Sequence, residues 1–182
     1  MEDYQALYSE ALKALKPGGW FEQAEISVII RSDDESTKGT YFEKFSALAI
    51  EGGKKFGKSF SIAEDSETEF KKAGFENVRY VTYKWPIGTW PKSQKYKTIG
   101  AYNRMAVEDG IEGWAMYMFT NVHGWQREEV QVLIAQIKKE VRDPKIHGWQ
   151  YMYVDDQAIP LARLRLMARR TVCYGQKPMT AG

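Results

Sequence analysis

Two carboxylates three residues apart interrupt an otherwise aromatic and β-branched segment. They are Glu22 and Glu25, flanking Gln23 within residues 20–30 (WFEQAEISVII). A strand covered on both faces reads as a nearly continuous apolar run. In open α/β sheets the ligand crevice lies at the carboxyl ends of the strands. There Glu22 or Glu25 would act as a base or hydrogen-bond acceptor on a bound substrate. The alternative is that the strand stops near Ala24 and both carboxylates are solvated. A second set is aromatic: Tyr83, Trp85, Trp90, Tyr96 and Tyr102, with the amide of Asn103 beside them. Apolar pockets with few polar groups are often walled by Trp and Tyr. The alternative is that these rings pack a helical lid onto the sheet.

The remaining reactive side chains are few. His123 and His147 are the only histidines, each followed by Gly-Trp, and Cys173 is the only cysteine. That leaves no internal disulfide, no cysteine-cluster metal site and little for zinc or a Ser-His-Asp triad. Cys173 reads as a small buried hydrophobe in a strand. Neither Gly18-Gly19 nor Gly52-Gly53 has the G-x-G-x-x-G spacing that brings backbone against phosphate or ribose.

The 182 residues carry 26 basic and 24 acidic side chains, a formal net charge of +2. This even balance gives no reason to expect nucleic-acid binding through phosphate contacts. At 43% hydrophobic and 27% charged, neither disorder nor a coiled coil fits. A chain of this length buries roughly 70% of its extended surface on folding. No apolar run is long enough for a membrane span. The amphipathic, acidic start is unlike a secretory signal, so the expected location is intracellular, nucleus or cytoplasm.

The elements that must position these groups follow from periodicity and punctuation. Residues 4–15 repeat apolar side chains at helical spacing and stop at Pro17-Gly18-Gly19. A strand follows from Trp20, so helix, turn and strand form an α/β unit. Residues 31–40 are polar and read as a loop. Residues 41–56 read as a helix with a break expected at Gly52-Gly53. Ser61 and Glu64 have capping-box spacing, predicting a helix over 62–73 with Gly74 as its C-terminal cap. Residues 77–85 alternate as one strand, ended by Pro86. Residues 96–122 read as a helix broken near Gly110 and Gly113. Residues 127–141 give the clearest helix, acidic at its start and basic at its end. Residues 147–153 and 171–174 have strand character.

Several strings together resemble a known family. ALKPGGWFE (14–22) is similar to the helix-turn-strand entry into the fifth strand of class I S-adenosylmethionine-dependent methyltransferases. KAGFENV (72–78) resembles the turn into their sixth strand. The strings YKWPIGTWPK (83–92), IGAYN (99–103), DPKIH (143–147) and YGQKP (174–178) narrow the resemblance to the LaeA-like (UMTA-type) methyltransferases of filamentous fungi. It covers nearly the whole chain apart from about residues 151–170.

The resemblance implies an α/β fold: the C-terminal part of a class I, Rossmann-like sheet of seven strands with its last strand antiparallel, carrying helical lid insertions. It implies S-adenosylmethionine as cofactor and methyl transfer to a nucleophilic N, O or C atom, with links to secondary metabolism. Velvet-type proteins, or a full-length methyltransferase, are the partners it suggests. On this reading Glu22 and Glu25 are the acceptor-side catalytic candidates. Trp85, Trp90, Tyr102 and Asn103 wall the substrate pocket.

Two departures from the family pattern stand out. The family's glycine-rich first loop has no counterpart in these residues, so the chain is expected to be one partial methyltransferase domain, weak in cofactor binding on its own. The strand at Trp20 would then have an open edge that a partner must cover. Residues 151–170 also interrupt what would be the final strand. They hold Arg163, Arg165, Arg169 and Arg170 against Asp155 and Asp156. A translated intron or mispredicted join is one reading of them. A real insertion, with Leu161, Leu164, Met167 and Ala168 on a short basic amphipathic helix, is the other.

Overall fold

The computed structural model describes residues 4–153 and 173–179. The fold is mixed α/β. Among the described residues there are five α-helices: α1 (Tyr4–Ala14), α2 (Tyr41–Lys55), α3 (Ile62–Ala73), α4 (Gln94–Tyr117) and α5 (Arg127–Glu140). The strands are β1 (Trp20–Gln23), β2 (Glu76–Tyr80), β3 (Thr82–Pro86), β4 (Trp149–Tyr153) and β5 (Cys173–Gln176). The described residues fall into two compact units. One takes residues up to Ser27, Ser61–Tyr83 and from Tyr151 onward; the other takes Val28–Phe60 and Lys84–Gln150.

The first unit is a three-stranded sheet in the order β1-β5-β2, backed by α1 and α3. The antiparallel last strand implied by the resemblance is there: β5 lies between β1 and β2 and runs antiparallel to both. Strand alternation sends Phe21 and Gln23 to the helix side of β1. On that side Phe21 stacks against Phe70 and Phe75, and Tyr8 lies 4.7 Å from Phe70 between ring centroids. Tyr8, Phe70 and Phe75 are fully or nearly fully buried. The close fit extends to β5, where a β-carbon on Gly175 would fall 2.3 Å from that of Phe75.

The second unit is mainly helical. Its core joins Phe42, Phe45 and Ala49 of α2, Val107, Ile111 and Ala115 of α4, and Val130, Leu133, Ile134 and Ile137 of α5. Glu140 at the end of α5 accepts hydrogen bonds from the backbone N–H groups of Tyr41 (2.9 Å) and Phe42 (3.1 Å). A carboxylate from one helix thus caps the start of another, where unpaired N–H groups favour negative charge. Burial pushes the Glu140 carboxyl above its usual range; the two amide bonds oppose that shift.

Several expected boundaries move, each for a tertiary reason. The predicted break in α2 does not occur. Gly52 is where His123 and Met118 press against the helix, and a β-carbon there would meet His123 Nε2 at 2.8 Å. The helix keeps its course because the neighbours fill the space. Likewise α4 runs unbroken through Gly110 and Gly113, and changes pitch only in a π-helical turn at Met118–Val122. The segment read as one strand over 77–85 divides at Val81 into β2 and β3, which belong to different sheets. The strand over 20–30 stops at Gln23; beyond it only Ile26 and Arg31 make isolated bridges, to Met152 and Trp149. Residues 147–153 and 171–174 are separate strands: β4 pairs with β3, and β5 joins the three-stranded sheet. Of the segment 151–170, only Tyr151–Tyr153 in β4 is described. The reading of the rest as insertion or intron, and that of the Cys173 side chain, lie outside the described residues.

Candidate functional site

The carboxyl end of β1 gathers buried polar groups. Gln23 is the last residue of the strand and only 8% exposed. Its amide oxygen accepts a hydrogen bond from the hydroxyl of fully buried Tyr8. Its amide N–H donates to Oε1 of Glu25 at 3.1 Å. The Glu25 carboxylate is therefore oriented by an amide that is itself oriented by a phenol. Tyr4 lies one helical turn before Tyr8, and its hydroxyl is pushed above the usual phenol range, chiefly by burial and secondarily by the Glu25 charge. Two residues past Glu25, buried Ser27 donates its hydroxyl to Oε1 of Glu64. Glu64 sits in the first turn of α3, where the helix dipole favours a carboxylate. The predicted capping box with Ser61 is not formed; the Ser61 hydroxyl donates to Asp65 at 2.6 Å instead.

Glu22 and Glu25 are not brought together. Glu22 is exposed, on the opposite face of β1 from Gln23, whereas Glu25 is half-buried beside Gln23. The reading that β1 ends near Ala24 matches the observed strand. Solvation, the other half of that reading, describes Glu22 and not Glu25. A carboxylate held by one amide N–H keeps a further oxygen for a ligand hydroxyl or amine.

In the second unit the aromatic candidates divide. Trp90 is half-buried and donates its indole N–H to the Gly148 carbonyl at 3.1 Å. Asn103, 6% exposed, donates its amide to the Pro86 carbonyl at 3.0 Å. Both residues clamp the connection that runs from Trp85, which is half-buried, into α4. The same connection is held by Ile87 N–H on Gly148 O (2.8 Å) and by Gly88 N–H on Gly100 O (3.0 Å). Tyr102 stands apart, 60% exposed on the outer face of α4. Of the histidines, His123 bonds the Leu48 carbonyl at 2.9 Å and packs on Phe119, a structural role. His147 pairs with Asp34 at 2.6 Å.

Sequence reasoning gave no site role to Tyr8, Ser27, Glu64 or Asp34. Only Ser27 left a trace, a hydroxyl inside the apolar run ISVII. The partners of the others lie 15 to 113 positions away.

The chain is 29% identical over 181 residues to the probable methyltransferase tdiE of Emericella nidulans, covering 99% of this chain and 51% of that protein. It is 29% identical over 149 residues to the methyltransferase pytC of Aspergillus terreus, covering 81% and 46%. The chain is a relative of the LaeA-like fungal methyltransferases. The protein-methionine methyltransferase laeA of Emericella nidulans is 26% identical over 159 residues, covering 85% of this chain and 42% of laeA. The chain thus spans about half the length of the curated relatives it matches. No family profile and no solved structure matches it.

Methyltransferase relatives suggest S-adenosylmethionine, and the closely spaced glycines among the described residues do not fit its nucleotide part. A phosphate- or ribose-cradling loop needs glycines open to a ligand. Here the space over Gly18 holds Met179, that over Gly52 holds His123 and Met118, that over Gly53 holds Lys58 and Phe60, that over Gly88 the Val141 carbonyl, and that over Gly100 the Gly88 carbonyl; Gly39, Gly57, Gly113 and Gly124 are open, but none belongs to a G-x-G pair. No step is therefore derived through that cofactor. Among the described residues no cluster of three metal-binding side chains occurs, and no helix is long and apolar enough to cross a membrane.

Proposed function

We propose that this chain provides the acceptor side of an S-adenosylmethionine-dependent methyl transfer of the LaeA-like kind. The observation that carries the reading is similarity to proteins named as methyltransferases over 81–99% of the chain. Glu25, oriented through Gln23 and Tyr8 at the carboxyl end of β1, is its acceptor-side base or hydrogen-bond acceptor. Glu22 is the alternative carboxylate, and Trp85, Trp90, Tyr102 and Asn103 are the pocket-wall candidates. The closely spaced described glycines are crowded by neighbouring groups and offer no cradle for the nucleotide part of the cofactor. The 182 residues alone are expected to show no micromolar binding of S-adenosylmethionine by calorimetry.

The test has two arms. The tagged chain is expressed in a filamentous fungus and recovered with whatever it associates with. That material and the purified chain are each incubated with methyl-labelled S-adenosylmethionine. Label transfer by the recovered material that falls at least about tenfold in Glu25→Gln supports the reading. No transfer in either arm sinks it.

A second reading is favoured by the strand order, in which, among the described residues, β1 is an edge of the sheet. There the chain is a non-catalytic module that docks on a full-length methyltransferase or a velvet-type protein by strand addition. Co-purification of such a partner, with transfer indifferent to Glu25→Gln, selects it.

A further inference from the structure

Asp34 and His147 meet within the second unit from positions 113 residues apart. Nδ1 of His147 lies 2.6 Å from Oδ2 of Asp34. The backbone N–H of His147 donates to the Ser36 hydroxyl at 2.8 Å, and the Ser36 N–H donates to Oδ1 of the same Asp34 carboxylate at 3.1 Å. Trp90 lies against the imidazole, centroids 5.0 Å apart and planes inclined by 37°. Trp90 is in turn fixed to the Gly148 carbonyl, which Ile87 also binds. The imidazole is therefore held at its nitrogen, at its backbone and along its face.

This arrangement leaves one reactive atom. A carboxylate on Nδ1 keeps a proton there and makes Nε2 the acceptor of the neutral ring. Nε2 has no hydrogen-bond partner among the described residues, and the side chain is 41% exposed. Hydrogen bonds from Ser36 and then His147 hold the Asp34 carboxyl down at about 2, so it is ionised at neutral pH. Asp33 and Glu35 flank it in sequence. Asp33 is paired with Lys84 and Glu35 with Lys38, so it is the Asp34 carboxylate beside the ring that disfavours an anionic ligand and favours a neutral one.

We propose that Asp34 and His147 form a proton-accepting dyad that binds a neutral phenol, its hydroxyl on Nε2 and its ring beside Trp90. This is a second site within the second unit, argued from its own geometry and not from Glu25 or the methyl-transfer reading above. A neutral imidazole is the commonest side-chain general base and takes a proton from a hydroxyl placed within hydrogen-bond reach. In the transfer the O–H bond breaks, an N–H bond forms at Nε2, and the electron pair stays on oxygen. The imidazolium then lies between phenolate and Asp34, its charge balanced by the carboxylate. An aromatic wall suits a flat ring.

The probe is 4-nitrophenol, whose phenolate absorbs in the visible. It is titrated with the full 182-residue chain at one pH unit below its own pKa. The expected result is a saturable rise of the phenolate band that weakens at least about tenfold in both Asp34→Ala and His147→Gln. Circular dichroism checks that each variant folds. Independently of any variant, long-range proton–nitrogen spectra of the wild-type chain should show the His147 proton on Nδ1. No saturable band with the folded wild-type chain, an unchanged band in folded variants, or a proton on Nε2 would overturn the dyad. A chain that binds the probe as expected yet takes part in no methyl transfer counts against the methyl-transfer reading and leaves the dyad standing.

Discussion

A β-carbon placed on Gly100 would lie 1.9 Å from the carbonyl oxygen of Gly88. The two residues also exchange a backbone hydrogen bond, Gly88 N–H to Gly100 O at 3.0 Å. Gly88 has φ +92°, in the left-handed region, so this approach depends on glycine at both positions. Here α4 locks onto the connection that carries Trp85 and Trp90.

Glycines in one helix should consequently respond to alanine with opposite signs. Gly113, also in α4, has nothing within 4 Å of an added β-carbon. Gly113→Ala should stabilise the chain by about 0.5–1 kcal/mol through helix propensity. Gly100→Ala should destabilise it by about 3 kcal/mol, because backbone must move. Urea unfolding followed by circular dichroism measures both. Equal effects would mean the contact does not exist.

Asn103 should prove to be a clamp for the Pro86 carbonyl. Asn103→Ala leaves that buried carbonyl without its donor and should cost about 1–3 kcal/mol. Trp90→Phe removes the indole N–H from Gly148 while keeping most of the ring, and should cost about 1 kcal/mol. Thermal melts would read both. If Asn103 mainly contacts substrate, Asn103→Ala will leave the melting temperature unchanged.

Tyr8 should act on Glu25 at one remove. Tyr8→Phe strands the Gln23 amide oxygen in the interior and should cost about 1–3 kcal/mol. In the methyl-transfer assay it should also weaken the Glu25 dependence, which Phe70→Leu, a packing change in the same cluster, should not. A Glu25 dependence that survives Tyr8→Phe would rule out the relay.

Asp34 gives the chain an acid-side sensitivity. Its carboxyl titrates at about 2 when folded against 3.8 for a free carboxyl. Between those values the unfolded chain binds more protons than the folded one. The stabilisation is present above pH 3.8 and drains away as the pH falls towards 2. Denaturation midpoints from pH 5 to pH 2 should fall less steeply in Asp34→Ala than in wild type. Parallel curves would show that the pair with Ser36 and His147 does not hold the charge.

Locally encoded features were the most legible in the sequence. The helix over 62–73 and its left-handed cap at Gly74 follow from the Ser61–Glu64 spacing and one glycine; the structure matches both ends although the capping box itself does not form. α5, with two glutamates at its start and two lysines at its end, begins at Arg127 as expected and ends at Glu140, with Val141 as its cap. The glycines of α2 and α4 misled because propensity says nothing of a neighbour that fills the missing side chain's place, as His123 does at Gly52. The division at Val81 was invisible because one alternating pattern serves two sheets. At the candidate site Gln23 and Glu25 were legible as polar residues in an apolar strand. Glu64 was read as a cap for its own helix, since Ser61 is three residues away and Ser27 is thirty-seven.

The strand order β1-β5-β2 also sets a schedule for synthesis. Gln23 in β1 finds its partner in Cys173, 150 residues later in the chain. Until β5 leaves the ribosome, β1 and β2 lack the strand that joins them, and α1 and α3 have no complete sheet to cover. The second unit draws only on residues 28–60 and 84–150, so it closes first, and the late, long-range closure of the sheet is the slow step. A chain cut at residue 150 and freed from the ribosome would carry the residues of the helical unit and a Trp20–Gln23 segment without its β5 partner. That incomplete chain, more than the mature protein, is where a chaperone has most to protect.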